Sequence, residues 1–351
     1  MRALLASALL IAAAPAAARQ PVRYDVAFPN AVHHEAEITI TFTDLPASPL
    51  QVRMSRSSPG RYALHEFAKN VYAVRATDSR GNPLAVTRPD PYGWTVSGHD
   101  GTVRFSYTLF ADRADGTYSG IDNTHAHLNI PATFAWARGL EDRPITVSFR
   151  VPRGSNWKVA TQLFATDDPY TFTAPNLYYF LDSPVELSDF DVREWTVHDN
   201  GRDYTIRLAV HHDGTQEELD AYTEMAKAVV AEQIAVFGEV PDFETGSYVF
   251  IACYLPWVSG DGMEHRNSTL LTSTRPIGAG AARNLGTLSH EFFHAWNTER
   301  LRARSLEPFD FERANMSDAL WFGEGFTSYY DDLTIHRAGL MDLDTYASGL
   351  A

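Results

Sequence analysis

The chain has 351 residues, 44% of them hydrophobic and 12% aromatic, a globular composition long enough for two cores. Its formal net charge is -15 and it carries no Lys/Arg-rich run, which argues against a nucleic-acid partner because phosphates would be repelled. Cys253 is the only cysteine, so no intrachain disulfide can form.

Residues 1–18 read as a secretory signal, with Arg2 as the positive start, Ala3 to Ala14 as the apolar stretch and Ala16-Ala17-Ala18 as a small-residue cleavage site. The stretch falls short of the roughly 20 residues that a spanning helix needs. The expectation is an exported protein, periplasmic or secreted, with no membrane span in its mature chain.

From Val22 to about Val192, short β-type runs alternate with turn residues, as in Glu37-Ile-Thr-Ile-Thr-Phe42 and Val103-Arg-Phe-Ser-Tyr-Thr-Leu109. Their two-residue alternation predicts a largely antiparallel β domain, placed at residues 19–196. After Tyr204-Thr-Ile-Arg-Leu-Ala-Val210 the pattern changes. Gln216 to Phe237 has no Gly or Pro, spaces its apolar residues helically and is preceded by Thr215 as an N-cap. An apolar run, Tyr248 to Tyr254, reads as a buried strand and gives Cys253 a structural role. The stretch Gly260-Asp-Gly-Met-Glu-His-Arg-Asn267 reads as a connection ahead of a further strand. Glu264 within it could meet the cationic end of a peptide, although a loop glutamate is ordinarily just solvated.

The most informative stretch is Thr287-Leu-Ser-His-Glu-Phe-Phe-His-Ala-Trp-Asn297. His290 and His294, four apart on a helix, present both imidazoles on one face, and Glu291 between them can take a proton from a water at a metal's open position. The bland alternative is two ordinary helix histidines flanking a glutamate. The motif helix is expected to end near Arg300, with Gly286 as a possible interruption. A further helix is predicted from Asp318 to Arg337, capped by Ser317, and Glu324 in it is the best third ligand because its bulky neighbours would bury it. Glu299 lies off the ligand face, and Glu307 and Glu312 read as exposed loop.

His290-Glu-Phe-Phe-His-Ala-Trp-Asn297, Pro308-Phe-Asp310 and Leu320-Trp-Phe-Gly-Glu-Gly-Phe-Thr-Ser-Tyr-Tyr-Asp-Asp332 resemble the glycyl aminopeptidase family of gluzincin zinc peptidases, relatives of the aminopeptidase N-like enzymes. Gly262-Met-Glu-His265 is similar to the G-x-M-E-N exopeptidase motif of those relatives, and Ser58-Pro-Gly-Arg-Tyr62 with His65-Glu-Phe-Ala68 extends the resemblance into the β domain. The resemblance implies Zn2+ held by His290, His294 and Glu324, Glu291 as general base, and Glu264 as anchor for a substrate's free α-amino group. It implies an α+β multidomain fold, the β domain followed over 197–351 by a thermolysin-like, mainly helical zinc-peptidase domain. His265 replaces the asparagine of the relatives' motif. The family's downstream tyrosine, helical region and PDZ-like domain have no counterpart before Ala351, so the chain is expected to be a fragment. The expected activity is removal of small N-terminal residues, Gly or Ala, from peptides. The alternatives are a zinc endopeptidase and a zinc-containing peptide-binding protein without catalysis.

Overall fold

The computed structural model describes residues 19–350. The signal sequence expected over residues 1–18 lies outside the described residues. The N-terminal half is built from three sheets around one apolar core. The largest has seven strands, and its alternating strands such as Glu35–Phe42 and Val103–Phe110 turn Ile38, Ile40, Phe105 and Tyr107 inward. Antiparallel pairing dominates as predicted, with one departure: Val22–Asn30 runs parallel to Ile145–Arg150. The long intervening chain forms further strands before returning, which permits a parallel neighbour.

Two strands of a four-stranded sheet in this half matter later: β1 (His125–Leu128) and its antiparallel neighbour β2 (Val185–Ser188). Sheet membership then changes. β3 (Asp191–Asp199) pairs with β4 (Arg202–His212) in a separate five-stranded sheet, so the division expected after residue 196 falls inside β3.

The second half begins on that sheet. α1 (Gln216–Phe237) forms where its apolar spacing predicts, and Thr215 caps it in a reciprocal box with Glu218. β5 (Ser247–Tyr254) lies parallel to β4, and β6 (Asp261–His265) forms a hairpin with β7 (Ser268–Ser273), giving the order β3-β4-β5-β7-β6. Glu264 therefore lies on a strand and not in a connection. The two-residue turn at Arg266 and Asn267 lets the preceding segment fold back and pair.

α2 (Ala281–Phe293) carries the histidine motif and packs against α1 and α3 (Leu320–Arg337), with α4 (Leu343–Gly349) following. Gly286 lies inside α2 without interrupting it. The helix stops at Phe293 and not near Arg300, because the backbone tightens: Ala295 N–H bonds Phe292 O at 3.0 Å and Trp296 N–H bonds Phe293 O at 3.2 Å. α3 starts at Leu320, two residues later than predicted. Ser317 Oγ accepts from Ala319 N–H at 3.1 Å ahead of the helix and caps no helical amide. Tyr248, Phe250, Phe292 and Trp296 form the core under α2. Among the described residues no helix is long and apolar enough to cross a membrane.

Removing the α1 cap with Thr215→Ala is expected to lower the unfolding free energy of this half by about 1 kcal/mol. Urea denaturation checks this, and an unchanged midpoint would contradict the capping assignment.

Candidate metal centre

The three residues predicted as ligands converge. His290 Nε2 lies 3.2 Å from His294 Nε2, and Glu324 Oε2 lies 3.6 Å from the first and 3.5 Å from the second. A tetrahedral zinc about 2.0–2.1 Å from nitrogen or oxygen needs donor separations of roughly 3.3–3.4 Å. The triangle therefore fits a single ion.

The opposite ring nitrogens fix which atoms face the centre. His290 Nδ1 is 2.8 Å from Asp331 Oδ2, and His294 Nδ1 is 2.7 Å from the backbone oxygen of Asn297. Both partners accept, so each Nδ1 carries a hydrogen and each Nε2 is the nitrogen turned toward the ion's position. The early stop of α2 is what makes the second bond possible: the chain curls until Asn297 O and Thr298 Oγ1, 3.0 Å from the same nitrogen, both reach His294. Thr298 takes φ 118° in this curl, a backbone strain held by the surrounding bonds. Asn297 then donates its side-chain amide to Phe322 O at 3.1 Å and Gly323 O at 2.9 Å, tying the histidine turn to the start of α3.

α3 supplies two site residues. Glu324 is less buried than its bulky sequence neighbours suggest, with 39% of its side chain exposed. Trp321, Phe322 and Phe326, expected to cover it, cluster on an exposed face. Its other oxygen, Oε1, accepts from Tyr62 Oη at 3.0 Å across the domain boundary. Asp331, seven residues after Glu324 and so two turns along the same face, was not singled out from the sequence. Its helical spacing from Glu324 was the available signal. Tyr62 stood within a motif but had no role assigned to it.

Glu291 and Glu264 lie beside this triangle. The donor atoms of Glu264, Glu291 and His294 are all within 4.8 Å of one another, and both glutamates are buried. Gly262 makes room for Glu291, since a Cβ there would strike Glu291 Oε1 and Thr287. Gly60, at φ +75°, makes room for Glu264 in the same way, and Arg61 beside it pairs with Asp261 and bonds Thr117 Oγ1 at 2.7 Å. The β-domain loop thus closes over the strand that carries Glu264. Glu264 Oε1 has no hydrogen-bond partner.

Burial pushes the Glu291 carboxyl up to about 7, opposed by the positive field of His294 and reinforced by Glu264. Burial works against charge on His290, but hydrogen bonds to Asp331 and Glu324 outweigh it and lift its pKa to about 10. At His294 burial is likewise outweighed, by Glu264 and Glu324, with a pKa of about 9. Without an ion the acidic surroundings hold protons on this pair.

The remaining carboxylates stay out of the triangle, as the sequence suggested. Glu299 faces Arg302 at 3.5 Å, Glu307 pairs with Arg302 at 2.6 Å, and Glu312 bridges Arg53 and Arg138. His265 turns to Asp182 of the β domain at 2.9 Å. A cavity of about 450 Å³ is lined by Tyr62, Thr298, Leu301, Leu306, Phe322 and Gly323 among others, of which Tyr62 and Thr298 bond the ligands Glu324 and His294.

Comparison with known proteins follows the two halves of the chain. The model of the peptidase M61 N-terminal domain matches residues 23–189, and the model of M61 glycyl aminopeptidase matches residues 283–351. Among solved structures, an aminopeptidase N family protein from Idiomarina loihiensis superposes with a TM-score of 0.82 at 24% identity, over 93% of this chain and 56% of that one. Aminopeptidase A of Legionella pneumophila, solved with aspartic acid, gives a TM-score of 0.51 at 12% identity over 90% of this chain and 37% of its own. The chain thus spans little more than half the length of the first and shares its fold. No curated protein matches.

Two outcomes test the centre. Asp331→Asn is expected to weaken zinc binding by about 10- to 100-fold in a chelator competition, and unchanged affinity would remove Asp331 from the site. Zinc binding at pH 7 is expected to displace protons from the imidazoles, so the calorimetric binding enthalpy should vary with the ionisation enthalpy of the buffer. A buffer-independent enthalpy would show that the pair is already neutral.

Proposed function

The chain belongs to the M61 glycyl aminopeptidase family, and we propose that it is the part of a zinc aminopeptidase that holds the metal, the general base and the anchor for a substrate's amino terminus. His290, His294 and Glu324 hold Zn2+. Bound there, zinc supplies Lewis acidity that acidifies water and polarises the scissile carbonyl.

The residues of the chain do the rest. Glu291 accepts the proton of the attacking water as its oxygen bonds to the carbonyl carbon, and returns that proton to the amine nitrogen as the C–N bond breaks. Burial favours the protonated form of this carboxyl and positive charge beside it favours the carboxylate that takes the water's proton, so both forms are within reach. Tyr62 keeps the Glu324 carboxylate oriented through its hydroxyl. The buried walls around Glu291 and Glu264 limit the water that competes for that proton.

The observation that carries the aminopeptidase reading is Glu264. A buried carboxylate with an unpartnered oxygen, set beside a second buried carboxylate, is costly unless a cation joins it. The free α-ammonium of a peptide is such a cation, and an anchor this close to the ligand histidine suits the residue directly ahead of the cleaved bond. A preference for Gly or Ala rests on the family alone. An endopeptidase would use the same metal and base but has no use for Glu264, and a non-catalytic peptide binder has no use for Glu291.

The finer architecture is part of the same proposal. The second half is thermolysin-like, and further catalytic groups come from chain outside this sequence, a reading supported by the relative's greater length and by the exposed Trp321, Phe322 and Phe326 face. Export to the periplasm or beyond rests on the composition of residues 1–18.

In the full-length protein, Gly- and Ala-p-nitroanilide are expected to be hydrolysed and their N-acetyl forms to resist. Glu264→Gln should raise KM at least tenfold with zinc retained, and Glu291→Gln should abolish turnover with zinc retained. Equal cleavage of acetylated substrate would favour the endopeptidase. Turnover by Glu291→Gln would overturn the base assignment, and no turnover by the unaltered protein would favour the peptide binder.

A further inference from the structure

Far from α2 and α3 in sequence, four other metal-ligating side chains meet where the two halves touch. His125 sits on β1 and Glu186 on its neighbour β2, while His211 and Cys253 are direct cross-strand partners on β4 and β5. Each half contributes two donors. None of them takes part in the centre described above.

His125 Nδ1 lies 3.4 Å from His211 Nδ1. Cys253 Sγ lies 3.6 Å from the first and 4.0 Å from the second. Glu186 Oε1 lies 3.4 Å and 3.5 Å from the same two nitrogens. All four donors are within 4.8 Å of one another. From zinc bond lengths of about 2.0–2.1 Å to N or O and 2.3 Å to S, a tetrahedral ion requires separations of about 3.3 Å between N and O donors and about 3.6 Å from N to S. Of these five separations, the longer Sγ contact alone departs from this by more than about 0.2 Å.

The contacts within the cluster are long for hydrogen bonds, every one of them 3.4 Å or more. Glu186 is 1% exposed, and its Oε1 is turned toward the centre of the group, where the two imidazole nitrogens at 3.4 Å and 3.5 Å face it without forming a well-aligned hydrogen bond. Its other oxygen is tied to His127 Nδ1 at 2.9 Å, which fixes the direction of the first. His125 Nε2, on the far side of its ring, faces Asp122 Oδ2 at 3.5 Å, the carboxylate-to-histidine arrangement that orients metal-bound imidazoles. A cavity of about 230 Å³ lined by Asp122, His125 and Trp257 gives access to the His125 side.

We propose that His125, Glu186, His211 and Cys253 form a second zinc site, a structural one that fastens the β domain to the half that carries the peptidase motif. Four protein donors leave no open position, which separates it from a catalytic centre. On binding, Cys253 releases its thiol proton to solvent, and thiolate plus carboxylate neutralise the dication in a buried setting. The inference does not rest on the peptidase reading, because neither half of the donor set belongs to that machinery.

The test uses the full-length protein loaded with Zn2+ or with Co2+ as a spectroscopic probe. Elemental analysis is expected to find two zinc ions per chain, and one in the His290→Ala/His294→Ala double variant. Cobalt in that double variant should give the near-ultraviolet thiolate-to-metal charge-transfer absorption, assignable to Cys253 wherever it is the sole cysteine ligand in the chain. Cys253→Ser should lose that absorption together with one zinc. One zinc in the unaltered protein, none in the double variant, or cobalt loading without a thiolate band would overturn the proposal. The band in the double variant needs no change at the new site, so misfolding of Cys253→Ser leaves the test intact.

Discussion

Two hydrogen bonds on the outer sides of the histidine rings set the rest of the candidate metal centre. Asp331 and the Asn297 carbonyl hold the Nδ1 hydrogens of His290 and His294, and so both Nε2 atoms converge on Glu324. One bond comes from α3 and the other from the turn that ends α2. Each therefore depends on how those helices pack. Gln233 of α1 reaches Ser289 O at 2.7 Å, and Ser289 Oγ donates to Asp331 O at 2.8 Å, so a buried polar chain runs from α1 through α2 to the residue that orients His290. Such a chain rewards one packing of the three helices over its neighbours.

The β domain completes the site from the other side. Tyr62 fixes Glu324, and Arg61 holds the strand that carries Glu264. Gln162 accepts from Asn267 N–H at 2.7 Å and Ser268 Oγ at 2.9 Å, which anchors the hairpin turn behind that strand. In the proposed function, a substrate amine met by Glu264 would be read by a residue of one half whose position is set by the other. The proposed second zinc site would stiffen the same boundary at a different point.

Much of this was legible in the sequence because it is local. The i, i+4 histidines, the capped apolar spacing of α1 and the two-residue alternation of the β domain follow from helix and strand periods. What escaped depends on pairing between distant segments. Glu264 read as a loop residue because nothing local shows that β6 has a partner, and α2 read as longer because the His294–Asn297 bond that curls the chain is tertiary. The His125, Glu186, His211 and Cys253 group joins four strands whose neighbours no spacing rule connects. Cys253 was correctly placed in a buried strand, yet the sequence gives no sign of what its sulfur faces.

In the proposed function, His290, His294 and Glu324 hold one zinc ion with Glu264 positioned to receive an amine. Anomalous diffraction at the zinc edge, from crystals of the full-length protein soaked with alanine, tests it most directly. An anomalous peak between the three ligands is expected, together with an alanine whose ammonium meets Glu264. Zinc absent from the triangle, or alanine bound with its ammonium turned away from Glu264, would contradict it.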